Sequence, residues 1–253
     1  MSKIKAVFFD QDGVIIDTER DGHRVSFNMT FKEFGFTDEW DVAYYHELLQ
    51  VGGGKERMKH HWKTKGFSKP LTEEEIDDLV KEMHKRKTAL FVELIETGKL
   101  PLRPGIHRFM KEAMEAGLKL AVTTTSNEQA AKAVTETVLS DIKFDLIIAG
   151  DMVSKKKPDP EIYNMALAKL GLNKDEAFVV EDSKNGLAAA KAAGLKTIVT
   201  TNYYTEQEDV SAGDVIVSCL GDPDGERAEI RKGEISGFDG VVHVKELTAL
   251  FGT

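Results

Sequence analysis

The chain has 253 residues, 30% of them charged and 41% hydrophobic, with a formal net charge of −9. That is enough chain to bury a substantial core, as one large domain or as a domain carrying an inserted one, and the composition is that of a soluble globular protein. The acidic balance argues against nucleic acid or an anionic membrane as partner, no apolar stretch approaches membrane-spanning length, and the one cysteine, Cys219, excludes an intramolecular disulfide and a Cys-rich zinc site.

Met1-Ser2-Lys3 runs straight into an apolar stretch, Ile4–Asp10, with no signal or transit pattern ahead of it. Residues 19–98 then read as helices only, over roughly 20–34, 42–49, 55–65 and 73–97. Thr72 and Glu75 have capping-box spacing for the last of these. Trp40 and Trp62 are expected in the core of this helical segment. Strand and helix alternate from Leu102-Arg103-Pro104-Gly105 onward. Leu118–Thr124 is a strand, and Ser126 and Gln129 form an S-x-x-Q box ahead of a helix over Ala130–Leu139. A strand at Phe144–Gly150 precedes Asp159-Pro160, an N-cap with proline at the first helical position. Ile162, Met165, Ala166 and Leu170 make one stripe on that helix, and Gly171 closes it. Ala177–Asp182, Thr197–Thr200 and Asp214–Val217 are further strands, with a helix from Ser183 to Gly194 between the first two. Gly221-Asp222-Pro223-Asp224-Gly225 is a turn, and the tail beyond Cys219 has no site signal.

The strands are short, rich in Val, Ile, Phe and Ala, and scarcely alternate, as parallel strands covered on both faces do. The expected fold is α/β: a doubly wound parallel sheet over residues 1–18 and 99–253, with an all-helical cap inserted at 19–98. Ligands bind such sheets at the carboxyl ends of the strands. Asp10, Thr124, Gly150 and Asp182 all stand at strand ends, so they are expected on one edge, with the insert as a lid.

The chemistry-bearing residues fall at those ends. Asp10 and Asp12, in Phe9-Asp10-Gln11-Asp12-Gly13, are two carboxylates closing a buried strand, which is costly unless a cation or a reaction uses them. Thr124, followed by Thr125, Ser126 and Asn127, offers hydroxyls and N–H groups at a helix start, a natural phosphate cradle. Lys157 lies in Lys155-Lys156-Lys157-Pro158-Asp159-Pro160. Glu181-Asp182 is a second acidic pair after Val179-Val180. Each alone reads as a cap or a solvated loop, but the four in this order on matching elements point to metal-assisted phosphoryl chemistry.

The order Asp10-x-Asp12-Gly13-Val14, Thr124, Lys157-Pro158, Glu181-Asp182 resembles the four motifs of the haloacid dehalogenase superfamily of phosphohydrolases. The insert resembles that superfamily's first type of cap. Asp17-Thr18-Glu19-Arg20-Asp21-Gly22-His23-Arg24, Val51-Gly52-Gly53-Gly54-Lys55-Glu56-Arg57-Met58 and Leu102-Arg103-Pro104-Gly105 are similar to the CbbY proteins of plants and algae, which remove the 1-phosphate of xylulose-1,5-bisphosphate, an inhibitory by-product of Rubisco. The resemblance implies Mg²⁺ as cofactor, with Asp10, the backbone carbonyl of Asp12, and Asp182 as ligands and Glu181 behind them. It implies Asp10 as nucleophile, Asp12 as proton donor and then base, and Thr124 and Lys157 as stabilisers of the transferring group. Thr124 stands where close relatives often have Ser, and both supply a hydroxyl.

Glu19, His23, Gly53, Gly54, Lys55, Arg57 and Lys87 are the candidates for holding the rest of a sugar bisphosphate, together with Thr125, Ser126 and Asn127. On composition alone Lys87, in His84-Lys85-Arg86-Lys87, reads as part of a solvated helix face. A monomer is expected, with no nucleic acid or membrane partner, in a chloroplast stroma or in the cytoplasm of an autotrophic bacterium. Three other readings stay open at this stage. A hexose-phosphate mutase shares all four motifs. A receiver-type phospho-aspartate switch has similar residues, but it is half as long and carries its acidic pair before the nucleophile. A Ca²⁺ loop at Asp10-Gln11-Asp12-Gly13 is opposed by the buried strand before it.

Overall fold

The structure is a computed structural model that describes residues 3–51, 53–126 and 128–252. In chain order the elements are β1 (Ala6–Phe9), a π-helical turn (Thr18–His23), α1 (Arg24–Glu33), α2 (Val42–Leu49), α3 (Gly54–Thr64), α4 (Glu73–Glu96), α5 (Ile106–Glu115), β2 (Lys119–Thr123), α6 (Glu128–Thr137), β3 (Leu146–Ile148), α7 (Glu161–Leu170), a 3₁₀ turn (Lys174–Glu176), β4 (Ala177–Glu181), α8 (Lys184–Ala192), β5 (Lys196–Thr200), β6 (Val215–Val217), β7 (Ile230–Lys232) and α9 (Val244–Phe251). They form two compact units, Thr18–Leu100 and the rest of the chain.

The larger unit is one seven-stranded sheet in the order β3-β2-β1-β4-β5-β6-β7. Every pairing is parallel except that of β6 with β7. Ala6, Val7, Phe8 and Phe9 are all inaccessible to solvent, which is why β1 reads as a continuous apolar run with no alternation. The chain crosses from one side of β1 to the other between β3 and β4, so β1 and β4 border the switch point where open α/β sheets bind ligands.

Local signals account for the helix starts. Ser183 caps α8 by accepting from Gly186 N–H, whereas at α7 the N-cap position falls on Pro160 and not on Asp159, one residue earlier, whose side chain accepts from Glu161 N–H. Gly171 ends α7 at φ +66°, a conformation that suits glycine. The Ser126–Gln129 box is a correction. α6 runs Glu128–Thr137, and the Ser126 hydroxyl donates to Asp12 at 2.6 Å, so the serine serves the strand-end cluster. β7, α5 and α9 go beyond the predicted elements. β7 is short, with two exposed residues of three, and lacks the buried apolar signature of the others.

In the smaller unit Thr72 and Glu75 form the predicted capping box of α4. Phe27, Phe31, Trp40 and Tyr45 are fully buried, with the Trp40 ring centroid 4.8 Å from Phe27 and 4.9 Å from Phe31. Burial of each such side chain is worth roughly 2–3 kcal/mol. Trp62 departs from expectation: it is only partly buried, and Trp40 alone takes the centre. Among the described residues no helix is long and apolar enough to cross a membrane.

Candidate active site

Strand register assembles the acidic cluster. Phe9 is level with Val180 on β4 and with Val122 on β2, so Asp10, one residue further, emerges beside Glu181 on one side and Thr123 on the other. Asp10 N–H donates to Val180 O at 3.0 Å, and Thr124 N–H to Ile148 O at 3.0 Å. Asp10, Glu181 and Asp182 are 7%, 0% and 5% exposed.

Lys157 neutralises part of this charge. Its ammonium donates to Asp10 Oδ1 at 2.6 Å, Glu181 Oε1 at 2.6 Å and the Thr123 carbonyl at 2.9 Å. Burial opposes that positive charge, but the carboxylates of Asp10 and Glu181 outweigh it and hold Lys157 protonated well above its usual range. Burial pushes Asp10 up to about 7, against the pull of Lys157 and with Glu181 and Asp12 adding to the rise. Asp182 is driven upward by burial first, then by Glu181 and Asp10, while Arg103 and Asn202 pull it down. One ammonium does not satisfy this many buried carboxylates.

The deficit is what a divalent cation would fill. Asp10, Glu181 and Asp182 each offer a carboxylate oxygen within 4.8 Å of the others. Glu181 is nonetheless committed: Oε1 accepts from Lys157 and from Tyr163 Oη at 2.7 Å, and Oε2 from Asp182 N–H at 3.1 Å. Asp10 Oδ2 and Asp182 Oδ1 accept no hydrogen bond among the described residues, so these two oxygens are the ones open to a ligand. An all-oxygen donor set of this kind fits a hard cation such as Mg²⁺.

Asp12 faces a different way. Its Oδ2 accepts from the Ser126 hydroxyl at 2.6 Å and the Thr124 hydroxyl at 3.2 Å, and its side chain is not part of the three-carboxylate cluster. Thr124 Oγ1 also accepts from Ser126 N–H at 3.0 Å, closing the turn. Thr125 is exposed, and its carbonyl accepts from Lys156 at 3.1 Å. Asn127 lies outside the described residues.

The smaller unit gathers several of the predicted substrate residues around buried polar groups. Lys87 is 7% exposed, so the solvated-face reading fails for this residue, while Lys85 in the same run is exposed. Its ammonium donates to His23 Nδ1 at 2.8 Å and lies 4.8 Å from the Phe27 ring centroid and 5.1 Å from that of Phe91. The contact requires a neutral His23. Burial lowers His23 to about 3, with Lys87, Arg57 and His84 adding to the fall, and burial lowers Lys87 to about 8. Glu19 accepts from Tyr45 Oη at 2.7 Å, and Arg57 donates to the same hydroxyl at 3.3 Å and to Val51 O at 3.0 Å. Gly53, at φ +93°, precedes α3, and a Cβ on Gly54 would meet the His84 ring at 2.8 Å. Lys55 is exposed. Gly52 lies outside the described residues.

Three further residues join the larger cluster; Tyr163 and Asn202 have no motif to announce them, whereas Arg103 belongs to Leu102-Arg103-Pro104-Gly105. Tyr163 sits beside the apolar stripe of α7, and a buried tyrosine hydroxyl needs a partner, which here is Glu181. Arg103 and Asn202, on loops far apart in the chain, meet at Gly13 O.

Residues 4–194 match the haloacid dehalogenase-like hydrolases. A CBBY-like protein of Arabidopsis thaliana is 48% identical over 229 residues, which are 89% of this chain and 72% of that one. Protein CbbY of Cereibacter sphaeroides is 40% identical over 221 residues, 86% of this chain and 93% of that one. The crystal structure of a CbbY mutant, D10N, from Rhodobacter sphaeroides in complex with xylulose-(1,5)bisphosphate superposes with a TM-score of 0.64 at 39% identity, over 85% of this chain and 94% of that one. The chain belongs to the haloacid dehalogenase-like hydrolases, and within them to the CbbY proteins. It is an enzyme, a phosphatase.

Proposed function

We propose that this phosphatase is Mg²⁺-dependent and hydrolyses xylulose-1,5-bisphosphate to xylulose-5-phosphate and phosphate through a phosphoryl group carried on Asp10. The observation that carries the reading is the Asp10 carboxylate itself. One oxygen is pinned by Lys157 and the other is left open at the switch point of the sheet. The CbbY structure solved with xylulose-(1,5)bisphosphate supports the choice of sugar.

The Asp10 carboxylate attacks phosphorus, the new O–P bond forms, and the bond to the sugar oxygen breaks. Asp12 gives that oxygen its proton. It then takes one from a water that attacks the aspartyl phosphate, so phosphate leaves and Asp10 is regenerated. Thr124 and Lys157 stabilise the charge on the transferring group, and Thr125, Ser126 and Asn127 cradle it. Mg²⁺, held by Asp10, the Asp12 carbonyl and Asp182, with Glu181 fixing Lys157 behind them, would offset the repulsion between carboxylate and phosphate.

The residues of 19–98 serve substrate recognition in this reading. Lys87, Arg57, Lys55 and the N–H groups of Gly53 and Gly54 take the distal phosphate, and Glu19 and His23 the sugar hydroxyls. Lys87 supports this, as a buried cation with only neutral His23 as its described hydrogen-bond partner. Such an enzyme acts as a monomer on a small molecule where Rubisco works, in the chloroplast stroma of a photosynthetic eukaryote or the cytoplasm of a bacterium.

A phosphate-release screen over sugar mono- and bisphosphates with Mg²⁺ tests the reading. Xylulose-1,5-bisphosphate should give the highest kcat/KM, with xylulose-5-phosphate as product. Conversion of a hexose 1-phosphate to its 6-isomer, without net phosphate release, would make the protein a mutase instead.

A further inference from the structure

Asn202 lies on the loop after β5, and its amide has one possible orientation. Oδ1 accepts from Tyr204 N–H at 2.9 Å and from Thr205 N–H at 3.2 Å, while Asn202 N–H donates to Thr205 Oγ1 at 3.0 Å. With the oxygen committed to two backbone donors, the NH₂ group faces the other way. It donates to Asp182 Oδ2 at 2.8 Å and reaches Gly13 O at 3.5 Å.

Arg103 holds the surroundings of that contact still. Its guanidinium donates to the carbonyls of Gly13, Thr200, Thr201 and Ser218. The turn after β1, the end of β5 and the end of β6 are thereby tied to one planar group. There is no slack between them: a Cβ on Gly13, at φ +90°, would lie 2.0 Å from Asp182 Oδ2 and 2.9 Å from Asn202 Nδ2.

We propose that Asn202, clamped by Arg103, is a positioning residue for the divalent cation: by occupying Oδ2 of Asp182 it fixes the carboxylate rotamer and commits Oδ1 to the metal. The inference rests on the metal reading above. Partners one step behind metal ligands commonly set ligand orientation, and losing one costs about tenfold to a hundredfold in metal affinity.

The test is calorimetric titration of Mn²⁺ into substrate-free wild type, Asn202→Ala and Asn202→Ser, with the Tm of each metal-free protein. Serine keeps the turn, because its hydroxyl can accept the same N–H groups, but it is too short to reach Asp182. The inference expects Kd for Mn²⁺ to rise about tenfold or more in both variants, with the metal-free Tm of Asn202→Ser at the wild-type value. Wild-type Mn²⁺ affinity in a folded Asn202→Ser protein overturns it, and so does a loss confined to Asn202→Ala, which would assign Asn202 to the turn alone. Wild type that binds no Mn²⁺ would instead refute the metal reading itself.

Discussion

The Lys157 ammonium lies 2.6 Å from Asp10 Oδ1 with both side chains nearly shut off from water, at 5% and 10% exposure. Removing one partner of a buried pair leaves the other charge uncompensated. Lys157→Met should therefore cost about 3–5 kcal/mol of stability by urea unfolding, because Asp10 and Glu181 lose their cation. Lys157 draws the Asp10 proton affinity down, so without it Asp10 takes up a proton more readily. The loss should then be smaller at pH 5 than at pH 8. A loss independent of pH would mean that the carboxylates are compensated elsewhere.

Metal removal should have a pH signature of its own. Asp10 is raised from its ordinary 3.8 to about 7, and Asp182 moves the same way. Between those values the folded protein holds a proton that the unfolded chain has lost. In metal-free protein this contribution to stability is full below the unfolded value and disappears as pH climbs through 7. A divalent cation replaces the proton. The Tm gain from Mg²⁺ over EDTA should accordingly widen from pH 5 to pH 8, as read by scanning calorimetry at each pH. A gain that is flat or narrowing would contradict this.

Lys87 shows the opposite sign. Burial lowers it from 10.5 to about 8, so between those values the unfolded chain binds the extra proton and stability rises with pH. At pH 7 the buried charge is a cost. Lys87→Met should stabilise the protein by about 1–2 kcal/mol, after discounting the lost contacts to Phe27 and Phe91. The same change should raise KM for xylulose-1,5-bisphosphate, and in wild type that KM should climb as pH passes 8. Unchanged KM in Lys87→Met would remove this lysine from the substrate site.

Arg57→Ala and Lys55→Ala separate the two ends of the substrate. Each should raise KM for the bisphosphate by about tenfold, the scale of one charge-assisted hydrogen bond. KM for a small generic phosphate ester should scarcely move. Equal effects on both esters would place the loss in the reaction centre.

Much of this arrangement is legible in the sequence because it follows from chain-local rules. β1 and β4 announce themselves as apolar runs ending in acids, and a parallel sheet must bring such ends to one edge, so the order of Asp10, Thr124, Lys157 and Glu181-Asp182 along the chain already implies that they gather. Other features are set by tertiary packing and leave no local trace. The partnership of Asn202 with Asp182 spans twenty residues and a helix. Lys87 looks solvated beside Lys85 and Arg86, and only the packing of α4 buries it. Ser126 has the spacing of a cap, but Asp12 is nearby in space and takes its hydroxyl. β7, with Arg231 and Lys232 exposed, carries no burial signal to read.

The central claim is that Asp10 carries the phosphoryl group. Wild type mixed with xylulose-1,5-bisphosphate and Mg²⁺, quenched in acid within one turnover and digested, should yield a phosphorylated peptide containing Asp10. Asp10→Asn should give neither that adduct nor phosphate release while still binding the bisphosphate. Phosphate release by Asp10→Asn, or wild-type turnover with no adduct at Asp10, would contradict the account.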